Sequence, residues 1–95
     1  MKKIEFVDVL GNERTLKTCI DLERQLTGLD YWQFATKRND AEESEWYVLT
    51  PFDNKAKFYT TEEDAYEGMV SWLRKYIELS EGIGKRVLVC TEGVL

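Results

Sequence analysis

The chain has 95 residues, the length of one domain, and its balance of 43% hydrophobic to 33% charged residues belongs to a chain that folds. It contains no run near the ~18 continuous apolar residues of a membrane span. Glu5 and Asp8 interrupt the segment after Met-Lys-Lys where a signal peptide would carry its apolar core, so the expected compartment is the cytoplasm. Histidine is absent and the net charge is −5, which removes the commonest metal ligand and acid/base catalyst and argues against direct nucleic-acid binding through a basic stripe.

Residues 3–10 have strand composition, Gly11-Asn12 is a two-residue hairpin signal, and residues 13–17 form the returning strand. Cys19, Leu22, Leu26 and Leu29 then fall on one face of a short helix, with Thr18 or Asp21 as N-cap and Gly28 near its end. Residues 30–37 alternate, with Trp32, Phe34 and Thr36 on one side and Tyr31, Gln33 and Ala35 on the other. Residues 45–50 and 56–60 read as two more strands joined by a turn at 52–55, so the middle third is expected to be a three-stranded meander.

Residues 61–80 carry the strongest periodicity. Ala65, Met69, Trp72, Leu73 and Tyr76 fall within one half of the helical wheel, and Glu63, Asp64, Glu67, Arg74 and Lys75 within the other. Thr60 with Glu63 matches a capping box, and Gly82 followed by Ile83 matches a Schellman stop. In residues 85–91 the unbroken run Val87-Leu88-Val89-Cys90 predicts a strand covered on both faces or central in the sheet. Together these elements predict one α+β domain over residues 1–95. Its expected form is a two-layer, mostly antiparallel sheet of five or six strands, packed against one long amphipathic helix and accompanied by a second short helix.

Catalytic chemistry finds little footing. Glu63 and Glu67 stand one helical turn apart, but acids in a first helical turn answer the helix macrodipole, and no Ca²⁺-type loop accompanies them. Cys19 and Cys90, seventy-one positions apart, match no metal or redox motif and read as two buried thiols. Gly82 and Gly84 follow a helix rather than a strand, which is a helix stop and not a phosphate loop. The expectation is a protein that is not an enzyme and uses no cofactor or metal.

Charge is the feature that points outward. Residues 40–67 hold nine acids against Lys55 and Lys57, a net −7, while the remainder of the chain is +2. Within this third the stretch NDAEESEW, residues 39–46, puts four carboxylates into six residues and then stops at a tryptophan. If Glu43 and Glu45 began a strand they would project to one side about 6.6 Å apart at ~3.3 Å per residue, a row resembling the dense charge of a nucleic-acid backbone. Asp40, Glu42, Glu43, Glu45, Glu62, Glu63 and Glu67 are therefore the expected charged footprint for a protein with a basic surface, with Trp46 or Tyr47 as anchor.

In size and charge this acidic third resembles the DNA-mimicking inhibitors of phages and mobile elements, the anti-restriction and anti-CRISPR proteins. That resemblance implies an inhibitor antagonising a host-defence or nucleic-acid-binding protein. A Met-Lys-Lys strand, a short helix, a long helix and the closing run Val87–Cys90 resemble the barstar-like immunity proteins, although residues 32–59 read as strands where that family carries its inhibitory helix. This second resemblance implies an immunity or antitoxin protein neutralising a cognate toxin. A small structural or assembly protein, with a self-complementary apolar patch, is the remaining reading.

Overall fold

The computed structural model describes residues 1–22, 30–53 and 59–95. β1 (Lys3–Val7) and β2 (Glu13–Ile20) form the predicted opening hairpin, with Ile4 opposite Leu16 and Phe6 opposite Arg14. Asp8 organises the connection, which is longer than the two residues expected. Its Oδ1 accepts from the Leu10 and Asn12 amides at 3.0 and 2.9 Å, its other oxygen lies 3.6 Å from Arg14, and Gly11 supplies the left-handed residue at φ 81°.

β3 (Trp32–Arg38) runs antiparallel to β2, β4 (Tyr47–Val48) pairs with β3, and β5 (Leu88–Val89) pairs with β1. The sheet is five-stranded, entirely antiparallel, in the order β4-β3-β2-β1-β5. Register explains the burial: Ile4, Leu16 and Thr36 form one row across the sheet, and Thr18 faces Phe34 in the next. These rows meet α1 (Glu62–Gly82), whose Met69 and Leu73 join Ile4, Phe6, Leu16 and Phe34 in a single core. The result is an α+β domain of one sheet and one long helix, with a 3-10 turn at Glu43–Glu45.

Helix ends follow from local chemistry. Thr61, not Thr60, is the N-cap, its hydroxyl accepting from the Asp64 amide at 3.2 Å. At the other end Gly84, not Gly82, takes the left-handed position at φ 74°. The Gly84 amide donates to the Glu81 carbonyl and the Lys85 amide to that of Ser80, which is the Schellman pairing shifted by two residues from the expected glycine.

Four other expectations are corrected. Cys19 lies in β2 rather than in a helix, because strand pairing with Gln33 continues to Ile20; the rest of the expected short helix, 23–29, lies outside the described residues. Residues 43–45 form a 3-10 turn rather than a strand start, so Glu43 and Glu45 do not project as an alternating row. The meander is replaced by an interrupted edge: Val48 pairs with Ala35, and Tyr59 then returns to the same side of β3 as a bridge to Trp32. Of the expected strand 56–60, residues 56–58 lie outside the described set. Finally, β5 is an edge strand with Leu88 exposed, and Cys90 is exposed rather than buried; among the described residues no strand pairs along the outer side of β5.

Candidate functional site

The stretch 39–46 connects β3 to β4, and its backbone is held from below. The Asn39 amide donates to the Glu13 carbonyl at 2.9 Å and the Thr15 hydroxyl donates to Asn39 Oδ1 at 2.7 Å, tying the start of the turn to β2. Lys37 lies on the sheet face away from α1, and its Nζ donates to the carbonyls of Arg38 and Ala41, both at 2.9 Å. A lysine is tolerated there at 8% exposure because its ammonium is hydrogen-bonded where it is buried.

The acidic part folds on itself. The Glu42 amide donates to Glu45 Oε2 at 2.8 Å across the 3-10 turn. Trp46 then lies back over the sheet, its ring centroid 3.9 Å from Lys17 Nζ and 5.5 Å from Lys37 Nζ, and its indole N–H donates to Glu43 Oε2 at 2.9 Å. Trp46 is thus engaged internally as a clamp. Around it Asp40, Glu42, Glu43 and Glu45 are all exposed, Asp40 beside Arg38 at 3.1 Å. An exposed pair of that kind leaves the carboxylate available to compete for other cations.

The other expected residues lie elsewhere. Tyr47 is 67% exposed but sits opposite Thr36, on the side of the sheet that bears α1. Glu62 accepts from the Thr18 hydroxyl at 3.0 Å and lies 3.6 Å from the Met1 amino group, so it ties the helix to β2. Glu63 and Glu67 are exposed on α1. Thr18 and Lys17 point to opposite faces of β2, and Arg38 and Trp32 are opposite ends of β3. The helical acids and the turn acids therefore occupy opposite faces and ends of the sheet.

Two features were missed from the sequence. Lys17 and Lys37 fall at positions that alternation places away from the helix, and that placement was the available signal for the clamp. The second is a groove of about 500 Å³ on the flank of α1, where Phe52 stacks on Trp72 with centroids 5.6 Å apart. Trp72 in turn stacks on Tyr76 at 5.2 Å, and Tyr76 meets Phe6 edge-on at 5.9 Å, so the groove wall is continuous with the core.

Cys19 is half-buried, and that burial raises its thiol pKa despite hydrogen bonding from Gln33 and the nearby Lys17. Among the described residues, no three acidic or thiol side chains are grouped so as to hold a metal ion, and no helix is long and apolar enough to cross a membrane. Comparison with protein families, with curated proteins and with solved structures finds no match to this chain.

Proposed function

We propose that this chain is a small acidic binding protein, without enzymatic activity, that occupies a basic surface on another protein and inhibits it by doing so. The observation that carries this reading is the turn between β3 and β4. Asp40, Glu42, Glu43 and Glu45 are exposed on a backbone fixed by Lys37, Asn39 and Trp46. A surface fixed before encounter loses little further freedom on association, where ordering otherwise costs about 0.5–1.5 kcal/mol per immobilised side chain. Opposite charge also steers the encounter and raises its rate.

Density of charge favours one class of target. Four carboxylates within six residues offer a basic groove the kind of field that a phosphate backbone offers it. A nucleic-acid-mimicking antagonist of a host-defence or nucleic-acid-binding protein, of the phage or mobile-element type, is the form of inhibitor this supports. The protein supplies the acids on a turn rather than on a strand, and Glu62, Glu63 and Glu67 add to the long-range field from the other side of the sheet.

The test is a pull-down from the cells of origin at low and high salt, with the variant D40K/E42K/E43K/E45K in parallel. One basic partner, released at high salt and not retained by the variant, is the expected result. Retention of the same partner by both proteins at both salt concentrations contradicts it.

A further inference from the structure

We propose, resting on the reading of this chain as a binder of basic partners, that the groove on the flank of α1 receives an arginine side chain of the partner protein. Asp64, Glu67, Gly68 and Trp72 contribute successive turns of one helix flank, and Phe52, arriving from the end of β4, closes the groove from the side. Phe52 and Trp72 lie within 20° of parallel, and Phe52 remains 43% exposed, so an aromatic surface borders the groove.

Among the described residues, the two acids on that flank have no cation beside them. Neither the Asp64 nor the Glu67 carboxylate is in an ion pair or accepts a hydrogen bond among the described residues. Lys75 also lines the groove, and its ammonium is beside Glu78 at 3.4 Å. Two carboxylates one helical turn apart beside a flat aromatic wall complement a planar cation that stacks and donates several N–H groups at once. A guanidinium has that shape, whereas an ammonium is a compact, strongly hydrated point charge. A nucleic-acid phosphate is repelled by the same pair.

The groove lies on the α1 side of the sheet and the acidic turn against the opposite face, so the groove is a contact separate from the turn. Gly68 keeps the floor low: Tyr59 packs directly against it, leaving no room for a side chain.

The probe is acetyl-Gly-Arg-Gly-amide, titrated into the ¹⁵N-labelled protein, with the lysine and citrulline peptides as comparators. Saturable shifts are expected at the Gly68 amide and the Trp72 indole N–H. The lysine peptide should bind more weakly, and the neutral citrulline peptide should leave these signals unmoved. The exposed double variant D64N/E67Q loses the response, and D40K/E42K/E43K/E45K retains it. Equal response to citrulline, shifts confined to residues 40–45, or an unchanged response in D64N/E67Q would overturn the assignment. The two readings fail separately: a silent groove in a protein whose turn variant still loses its partner removes only the arginine site. An arginine response alongside a partner indifferent to the turn variant removes the turn.

Discussion

The ammonium of Lys17 sits 3.9 Å from the centre of the Trp46 ring, on the face of the sheet that α1 does not cover. This contact turns an acidic connection into a fixed one, because Trp46 also holds Glu43 through its indole N–H and shelters the buried Lys37. Trp46→Ala is expected to cost about 1–3 kcal/mol, combining a cation–π term of ~0.5–2 with lost apolar cover. Urea unfolding measures the loss, and hydrogen exchange should quicken at residues 40–45 while the core strands keep their order of protection. A double-mutant cycle with Lys17→Met should return a coupling of about 0.5–1 kcal/mol. A coupling of zero would make the contact incidental.

Asp8 is the second fixed point. One buried carboxylate accepts from two backbone amides and lies beside Arg14, so Asp8→Ala strips the turn and leaves both donors and the guanidinium without that partner. A loss of about 2–3 kcal/mol is expected on equilibrium unfolding, from unsatisfied donors worth ~1–3 kcal/mol each, partly relieved by water. Asp8→Asn, which keeps an acceptor oxygen, should recover part of it.

Gly68 offers a change of sign. Alanine normally stabilises a helix interior by about 1 kcal/mol relative to glycine, but a methyl group here would collide with the ring of Tyr59, which its bridge to Trp32 holds in place. Gly68→Ala is expected to destabilise by about 1–2 kcal/mol, within the range of overpacking. In a Tyr59→Ala background the same substitution should stabilise. Thermal unfolding of the four proteins decides it.

The thiols should separate by reactivity and by pH. Burial raises the pKa of Cys19, while Cys90 is exposed, so an alkylating reagent at pH 8 modifies Cys90 first, and mass spectrometry should find one adduct well before two. A thiol whose pKa is raised in the folded state stays protonated there while the unfolded chain ionises. Its contribution to stability is therefore complete below the unfolded value and is lost as pH rises through the folded one. The fall in stability above the ordinary thiol range should be shallower in Cys19→Ala than in the wild type.

Strand composition and the Gly11-Asn12 turn made the hairpin legible, and periodicity the third strand and the long helix, where apolar residues repeat with the spacing of the element: Trp32 and Phe34 in β3, Met69 and Leu73 in α1. It failed where tertiary pairing overrides spacing. Cys19 sits at a helical interval from Leu22, yet the ladder to β3 carries β2 through it, and Val87–Cys90 is apolar although it forms an edge. The acidic turn was visible as composition but not as shape, since its form depends on Lys17, Lys37 and Trp46, which meet only once the sheet is built. The groove was hidden for the same reason: Phe52 and Trp72 are twenty positions apart in the chain and stacked in the fold.

The central claim is that the fixed acidic turn meets a basic surface. Its most direct test is the affinity of the captured partner as a function of salt, for the wild type and for D40K/E42K/E43K/E45K, with circular dichroism showing both folded. The account predicts wild-type affinity that falls steeply with salt and a variant at least ~100-fold weaker at low salt, in line with the energies measured for close charge pairs across interfaces. Equal affinity and equal salt dependence in the two proteins would contradict it.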